Sequence, residues 1–309
     1  MPDLHRWINP TWLERADAQT AWFQSAKPFK HLVLDDFFLP EQAEALLKAF
    51  PSFASGNHLN EAGLAGGKSV VEDLSRLPTP YSDLDQLLKS TAWLGFVAQL
   101  TGIPDLLFDP HYFGGGTHDN RAGQELDPHV DFNKHPVTGS HRRLNLIVYL
   151  NHNWQPEFGG QLELYENPRE AGRLLKRIAP NFNRCVIFET TEWSWHAFDK
   201  IVLPEGDNRT RKSIAVYLYS HTRPDEELAK PHSTIYVDRA PPSHWRAGHT
   251  FSLEDENALQ VHIARRDQHV QRLYRDLANL SEQLEQARAA ATPRGLLRRV
   301  RDRVRRIWA

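Results

Sequence analysis

The tripeptide His129-Val130-Asp131 sets an imidazole and a carboxylate two positions apart. On a strand that spacing puts both side chains on one side; on a helix it would point them apart. A second imidazole stands far downstream, His196 in TTEWSWHAF, directly after the strand-like run NRCVIFET. Two histidines and one carboxylate on a common face make a site that holds Fe(II) and leaves positions open for substrate and O2. Fifteen residues beyond His196, Arg211 is followed at two positions by Ser213 in RKSIAVYLY. A guanidinium fork with a neighbouring hydroxyl is a clamp for a carboxylate, and Tyr149 in LNLIVYLN offers a phenol to the same clamp. The chain has 16 histidines, so a His-x-Asp pair by itself also arises by chance in a solvated loop. The weight rests on the ordered set.

Such a set needs strands to carry it. From about 108 to 222, short β-rich runs alternate with turn clusters: RLNLIVYLN, GGQLELYE, NRCVIFET and KSIAVYLYS. Several short strands separated by turn signals predict a jelly-roll barrel or sandwich. In 144–151, Leu144, Leu146, Val148 and Leu150 share one face, and Asn145, Ile147, Tyr149 and Asn151 the other. In 211–218, Lys212, Ile214, Val216 and Leu218 share one face, and Arg211, Ser213, Ala215 and Tyr217 the other. Each run therefore has an aliphatic face to pack under helices and a more polar face to line a cavity. Upstream, HLVLDDF reads as a strand, and Pro40 opens a helix whose Ala43, Leu46, Leu47 and Phe50 fall on one side. Ser90 caps a second helix that stops at Gly102. Residues 1–27 show no regular pattern and are expected to be irregular, and 51–80 carries loop signals.

The ordered set HVD (129–131), LNLIVYLN, FGGQLELYE, FETTEWSWHAF and RKSIAVYLY resembles the Fe(II)/2-oxoglutarate dioxygenase superfamily, and within it the prolyl-hydroxylase-like branch. The likeness covers about 28–222, including the opening KPFKHLVLDDFFLPEQAEALLKAFP. It implies an α+β fold: a double-stranded β-helix (jelly roll) with packed N-terminal helices, here followed by a long C-terminal helical extension. It implies that His129, Asp131 and His196 are the iron ligands. It further implies that Arg211, with Ser213 and Tyr149, holds the distal carboxylate of 2-oxoglutarate, and that Tyr112 in HYFGGG reaches into the same pocket. Gly159-Gly160 match a structural turn before a barrel strand. The implied cofactors are Fe(II), 2-oxoglutarate and O2, with ascorbate compatible as a reductant. The implied reaction couples oxidative decarboxylation of 2-oxoglutarate to hydroxylation of an unactivated C–H bond. The substrate stays open between a peptidyl residue, an amino acid and a sugar or lipid precursor, because the loop FGGGTHDNRAGQELDP is long and polar. Retention of Asp131 sets halogenation aside. Two other readings stand beside this one: a non-catalytic cupin-type metal- or sugar-binding module, which has no use for the Arg211–Ser213 pair, and a scaffold acting through its coiled coil, against which the complete ligand set speaks. Of the nearby residues, His111, His118, His135, His141 and His152 are read as solvated loop positions. Arg209 is the alternative clamp, and Trp193 and Trp195 are packing residues or walls of the site.

The remaining composition narrows the class. A chain of 309 residues, 40% hydrophobic and 25% charged, builds a sizeable core. A formal net charge of −2 argues against general capture of nucleic acid. The single cysteine, Cys185 in CVIFE, excludes an internal disulfide and reads as a packing residue. No apolar run approaches the ~20 residues that span a bilayer, and the N-terminus has no signal-type segment, so a cytoplasmic protein is expected. Residues 223–250 read as a loop, and 251–291 as a helix in which Ile263, Val270, Leu273, Leu277, Leu280, Leu284 and Ala287 form a short heptad stripe interrupted by Arg266. That stripe suits self-association or docking on the same chain's barrel. The tail, 292–309, is a basic amphipathic segment suited to an anionic membrane surface, which would make the protein peripheral at the inner face of a membrane; the plain alternative is a solvated arm.

Overall fold

The alternation along 141–149 and 211–220 becomes the middle of a large antiparallel sheet. A computed structural model describes residues 3–59, 65–170, 173–239, 241–242 and 244–291. In chain order its strands are β1 (His31–Leu34), β2 (Asn57–Leu59), β3 (Ala65–Val71), β4 (Leu107–Phe108), β5 (Gly116–Asn120), β6 (Leu126–Val130), β7 (His141–Tyr149), β8 (Leu162–Tyr165), β9 (Leu174–Ile178), β10 (Arg184–Glu189), β11 (Trp195–Phe198), β12 (Arg211–Ser220) and β13 (Ile235–Tyr236). The helices are α1 (Pro10–Glu14), α2 (Ala16–Ser25), α3 (Pro40–Lys48), α4 (Tyr81–Leu88), α5 (Thr91–Thr101) and α6 (Leu253–Ala291). The major sheet runs β1-β10-β7-β12-β5-β3-β2, with β4 on β12, and the minor sheet runs β13-β6-β11-β8-β9. The chain passes repeatedly between two antiparallel sheets, the double-stranded β-helix that the resemblance implies.

The two faces of the major sheet separate as the alternation requires. Leu144, Leu146, Val148 and Leu150 join Ile214, Val216 and Leu218 in one core with Leu46 of α3, Leu84 and Leu87 of α4, and Trp93, Phe96 and Val97 of α5. On the inner side a second cluster of Phe29, Tyr149, Leu162, Leu164, Ile178, Val186 and Phe188 fills the space between the sheets. Helix α5 begins and ends as its sequence predicts: Ser90 Oγ accepts from Trp93 N at 3.2 Å, and Gly102 takes the left-handed conformation with φ +71°.

Three stretches differ from the sequence reading. Residues 1–27 are not irregular, for they hold α1 and α2. The start of α1 is capped by Asn9 Oδ1 on Thr11 N at 3.0 Å with Pro10 in the first turn. Only Ala16 and Phe23 of α2 are buried, too thin a stripe to reveal a helical period. The loop signals of 51–80 conceal the hairpin β2–β3, whose register is irregular. Finally, 223–250 contributes β13, which pairs with β6.

The chain divides into two units, Met1–Arg239 and Ala240–Ala309. In the second, α6 has 39 residues. In its first turn, Asp255 gathers donors that precede the helix, from His244 Nε2 (2.7 Å), Trp245 Nε1 (2.9 Å), His249 Nε2 (3.0 Å) and Ser252 (2.9 Å from Oγ), a clasp on the start of the helix. The basic tail from 292 onward lies outside the described residues. Among the described residues no helix is long and apolar enough to cross a membrane.

Candidate metal centre and cosubstrate pocket

Antiparallel pairing of β6 and β11 sets His129 directly opposite His196. Directly opposed residues point to the same face, and the two imidazoles meet with centroids 4.2 Å apart. Asp131 follows just beyond the end of β6, on the same side as His129. Its Oδ1 lies 3.8 Å from His129 Nε2 and its Oδ2 3.6 Å from His196 Nε2. Those gaps are too long for hydrogen bonds; they suit donors that share an ion.

The donor chemistry fits a metal. His129 Nδ1 is 2.9 Å from the carbonyl of Asp127, and His196 Nδ1 is 2.9 Å from that of Ser194. Both contacts fix the proton on Nδ1 and leave the Nε2 lone pairs facing each other and Asp131. All three residues are buried. Burial, with the neighbouring His196, lowers the His129 pKa to about 3, and burial lowers His196 too, so both imidazoles stay neutral. Burial alone would raise Asp131, but the Arg142 guanidinium, helped by the hydrogen bond from Asn145, outweighs it and keeps the carboxyl ionised. Arg142 Nη2 lies 3.2 Å from Asp131 Oδ2, and Asn145 Nδ2 donates to the same oxygen at 2.7 Å. Asn145 Oδ1 in turn accepts from Arg142 Nε and Nη2 at 3.0 and 2.8 Å. This bracket lies on β7, and no local pattern in the sequence marks it.

Arg211, Ser213 and Tyr149 also come together. Ser213 is directly opposite Tyr149 on β7, and the Arg211 side chain reaches over the Tyr149 ring, 4.9 Å from its centroid. Arg211 Nη2 donates to Tyr149 Oη at 3.3 Å, and Arg211 Nε donates to the Gly160 carbonyl at 2.6 Å. Phe198, two residues after His196, packs on the guanidinium at 4.5 Å. Only two of the five Arg donors are so engaged among the described residues, which leaves a fork for a carboxylate. Gly160 has φ +67°, and a Cβ there would press on Arg211 Cδ at 2.9 Å. The glycine pair thus does more than turn the chain: it aims the clamp.

Tyr112 does not belong to this group. Its hydroxyl donates to Asp85 Oδ1 of α4 at 2.7 Å, and its ring packs edge-on to Phe108 in the main core. Arg209 is no clamp either, since it pairs with Asp207 at 2.8 Å and lies on Phe158. Of the nearby histidines, His135 is buried against Asp109 at 3.1 Å, while His118 stands on the inner face opposite Ser213. Trp193 is 51% exposed and Trp195 is buried. Tyr236 of β13 pairs with His129 across the strands and stacks on its ring at 5.2 Å. A surface cleft of about 1110 Å³, lined by Phe50, Asp119, Arg209 and Lys212 among others, lies elsewhere and contains none of His129, Asp131 and His196.

Comparison with known proteins agrees with this geometry. Residues 115–219 match the model of the 2OG-Fe(II) oxygenase superfamily. This segment is similar to that superfamily. The stretch includes His129, Asp131, Tyr149, His196, Arg211 and Ser213. Among curated proteins, the chain is 28% identical over 125 residues to prolyl 3-hydroxylase OGFOD1 of Mus musculus, covering 36% of this chain and 22% of that one. It is 30% identical over 94 residues to the Xenopus laevis protein of the same name, covering 29% and 18%. The chain thus spans about a fifth of the length of the curated relatives it matches. Solved structures similar to it include a prolyl 4-hydroxylase from Phytophthora capsici (TM-score 0.48, 20% identity, 71% of this chain and 66% of that one). Another is HygX from Streptomyces hygroscopicus with nickel and 2-oxoglutarate bound (TM-score 0.45, 12% identity, 72% and 96%).

Proposed function

We propose that the protein is an Fe(II)- and 2-oxoglutarate-dependent dioxygenase that hydroxylates an unactivated C–H bond. The observation that carries this reading is the pair of facing inner surfaces: two Nε2 atoms and one carboxylate gather on the minor sheet, and from the major sheet a guanidinium fork reaches Phe198, two residues from His196. His129, His196 and Asp131 would hold the iron, and Arg211, Tyr149 and Ser213 the distal carboxylate of the cosubstrate. When bound, the iron and 2-oxoglutarate supply O2 activation, with decarboxylation to succinate and transfer of one oxygen atom to the substrate.

The chain's own residues do the positioning. The Nδ1 contacts hold the imidazoles in the ligating tautomer, and Arg142 with Asn145 keeps Asp131 turned so that Oδ1 faces the metal position. Phe188, Leu162 and Leu164 surround the pocket and exclude water, which strengthens the attraction between Arg211 and a carboxylate.

Mixing the protein with Fe(II) and 2-oxoglutarate without oxygen tests the reading. A weak visible charge-transfer band is expected for the wild type and none for His129→Ala; bound iron without a band in the wild type would sink the proposal. A screen for substrate-dependent succinate release then addresses the target. Prolyl peptides come first, because the curated relatives are prolyl hydroxylases, with free amino acids and sugar or lipid precursors after them.

A further inference from the structure

The strand register gathers more positive charge at the cosubstrate end of the pocket than the clamp accounts for. Arg211 of β12 is directly opposite Asn120 of β5, and Asn120 is directly opposite Lys68 of β3. In the neighbouring row, Tyr149, Ser213, His118 and Val70 face one another in the same way. Residues opposed across an antiparallel sheet share a face. Lys68, Asn120, His118, Arg211 and Ser213 therefore all look inward.

Lys68 keeps solvent access, yet the protein crowded around its side chain lowers its pKa, with Arg211 adding to the effect; Glu72 acts the other way without reversing it. His118 is lowered as well, by burial first and then by Lys68, with Arg211 contributing. No carboxylate forms an ion pair with Lys68, His118 or Arg211 among the described residues. On the outer face of the same strands, Lys212 has Asp119 at 3.3 Å. Cations that face one another in a cleft without a counterion are costly unless an anion stands among them.

We propose that Lys68 is a second cationic anchor for the distal carboxylate of 2-oxoglutarate, reaching from β3 toward the end of the cosubstrate that Arg211 and Ser213 hold from β12. The strands carrying the two cations lie two spacings apart, about 10 Å, and both side chains are long enough to meet a carboxylate between them. Asn120 sits beneath that meeting point as a neutral donor. Lys68 is thus a positioning residue that favours a dicarboxylate over a monocarboxylic 2-oxo acid, and this role rests on the functional reading above.

Calorimetric titration of the Mn(II)-loaded protein, which binds without turnover, tests it. The probes are 2-oxoglutarate and 2-oxopentanoate, the second having the keto acid end but no distal carboxylate. Glutarate on the metal-free protein is a third probe that needs no metal. Lys68→Met is expected to weaken 2-oxoglutarate and glutarate about tenfold, to leave 2-oxopentanoate unchanged, and to be rescued by Lys68→Arg. Unfolding curves that match the wild type establish that the variants fold. Unaltered 2-oxoglutarate binding in Lys68→Met overturns the proposal, and so does an equal loss for 2-oxoglutarate and 2-oxopentanoate. A wild type that binds none of the three probes overturns the functional reading itself.

Discussion

Asp131 can serve as a ligand because its second oxygen is already spoken for. Asn145 and Arg142 occupy Oδ2, so the carboxylate offers Oδ1 in one orientation. Replacing Asn145 by Leu keeps the volume and removes the donor; metal affinity, followed by Co(II) titration, is expected to fall roughly ten- to a hundredfold, and unaltered affinity would exclude the bracket's role. His31 makes a separate point about pH. It is buried on β1 with Nδ1 at the Phe29 carbonyl, 2.8 Å, and Nε2 at Lys176 Nζ, 2.9 Å. Burial lowers its pKa below the ordinary 6.5, with Lys176 adding to the effect. The unfolded chain therefore binds a proton that the folded chain refuses, and stability falls as pH drops through 6.5. Urea midpoints are expected to decline between pH 7 and 5, and less steeply in His31→Gln; parallel curves would remove His31 from the account. At this scale the grouping of His129 and Asp131 with His196, and of Arg211 and Ser213 with Tyr149, follows the ordered motifs of the sequence and the resemblance they carry. Lys68, Asn120, Arg142 and Asn145 were not legible there, because their roles depend on which strands become neighbours. Tyr112 misled because a tyrosine near the motif has the right chemistry, while its actual partner, Asp85, sits on a helix the sequence reading passed over.

The element that joins ligand strand and clamp is the turn at Gly159-Gly160. Gly159 has φ +62° and ψ −148°, a region open essentially to glycine alone; a Cβ there would overlap the Lys200 carbonyl. Gly159→Ala is expected to destabilise the protein by about 1–3 kcal/mol, read as a lower urea midpoint. Gly160→Ala pushes on Arg211 instead, so its mark should be weaker 2-oxoglutarate binding beyond any loss of stability; a change in stability alone would return the turn to a purely structural role. Strands β7, β10 and β12 were readable from alternation because each has one aliphatic face. The short N-terminal helices and the β2–β3 hairpin were not, since their burial comes from partners distant in sequence.

In the whole molecule, α6 carries apolar residues that the described structure leaves bare. Ile263, Val270, Leu273, Leu277, Leu280 and Leu284 are 42–62% exposed. Their three- and four-residue steps are those of a coiled-coil seam, and we propose a second copy of the chain as its partner. Light scattering is expected to give a dimer, and Leu277→Glu with Leu280→Glu a monomer; a monomeric wild type would refute this.

The pairing of β13 with β6 bears on where the protein can be divided. The strand that carries His129 is protected on its outer side by Ile235 and Tyr236, residues that lie beyond the stretch sharing the superfamily's pattern. A fragment trimmed to that stretch would turn β6 into a raw sheet margin, open to pairing with any neighbour. What is inherited as a recognisable module is therefore smaller than what can be handled in a test tube as a stable piece.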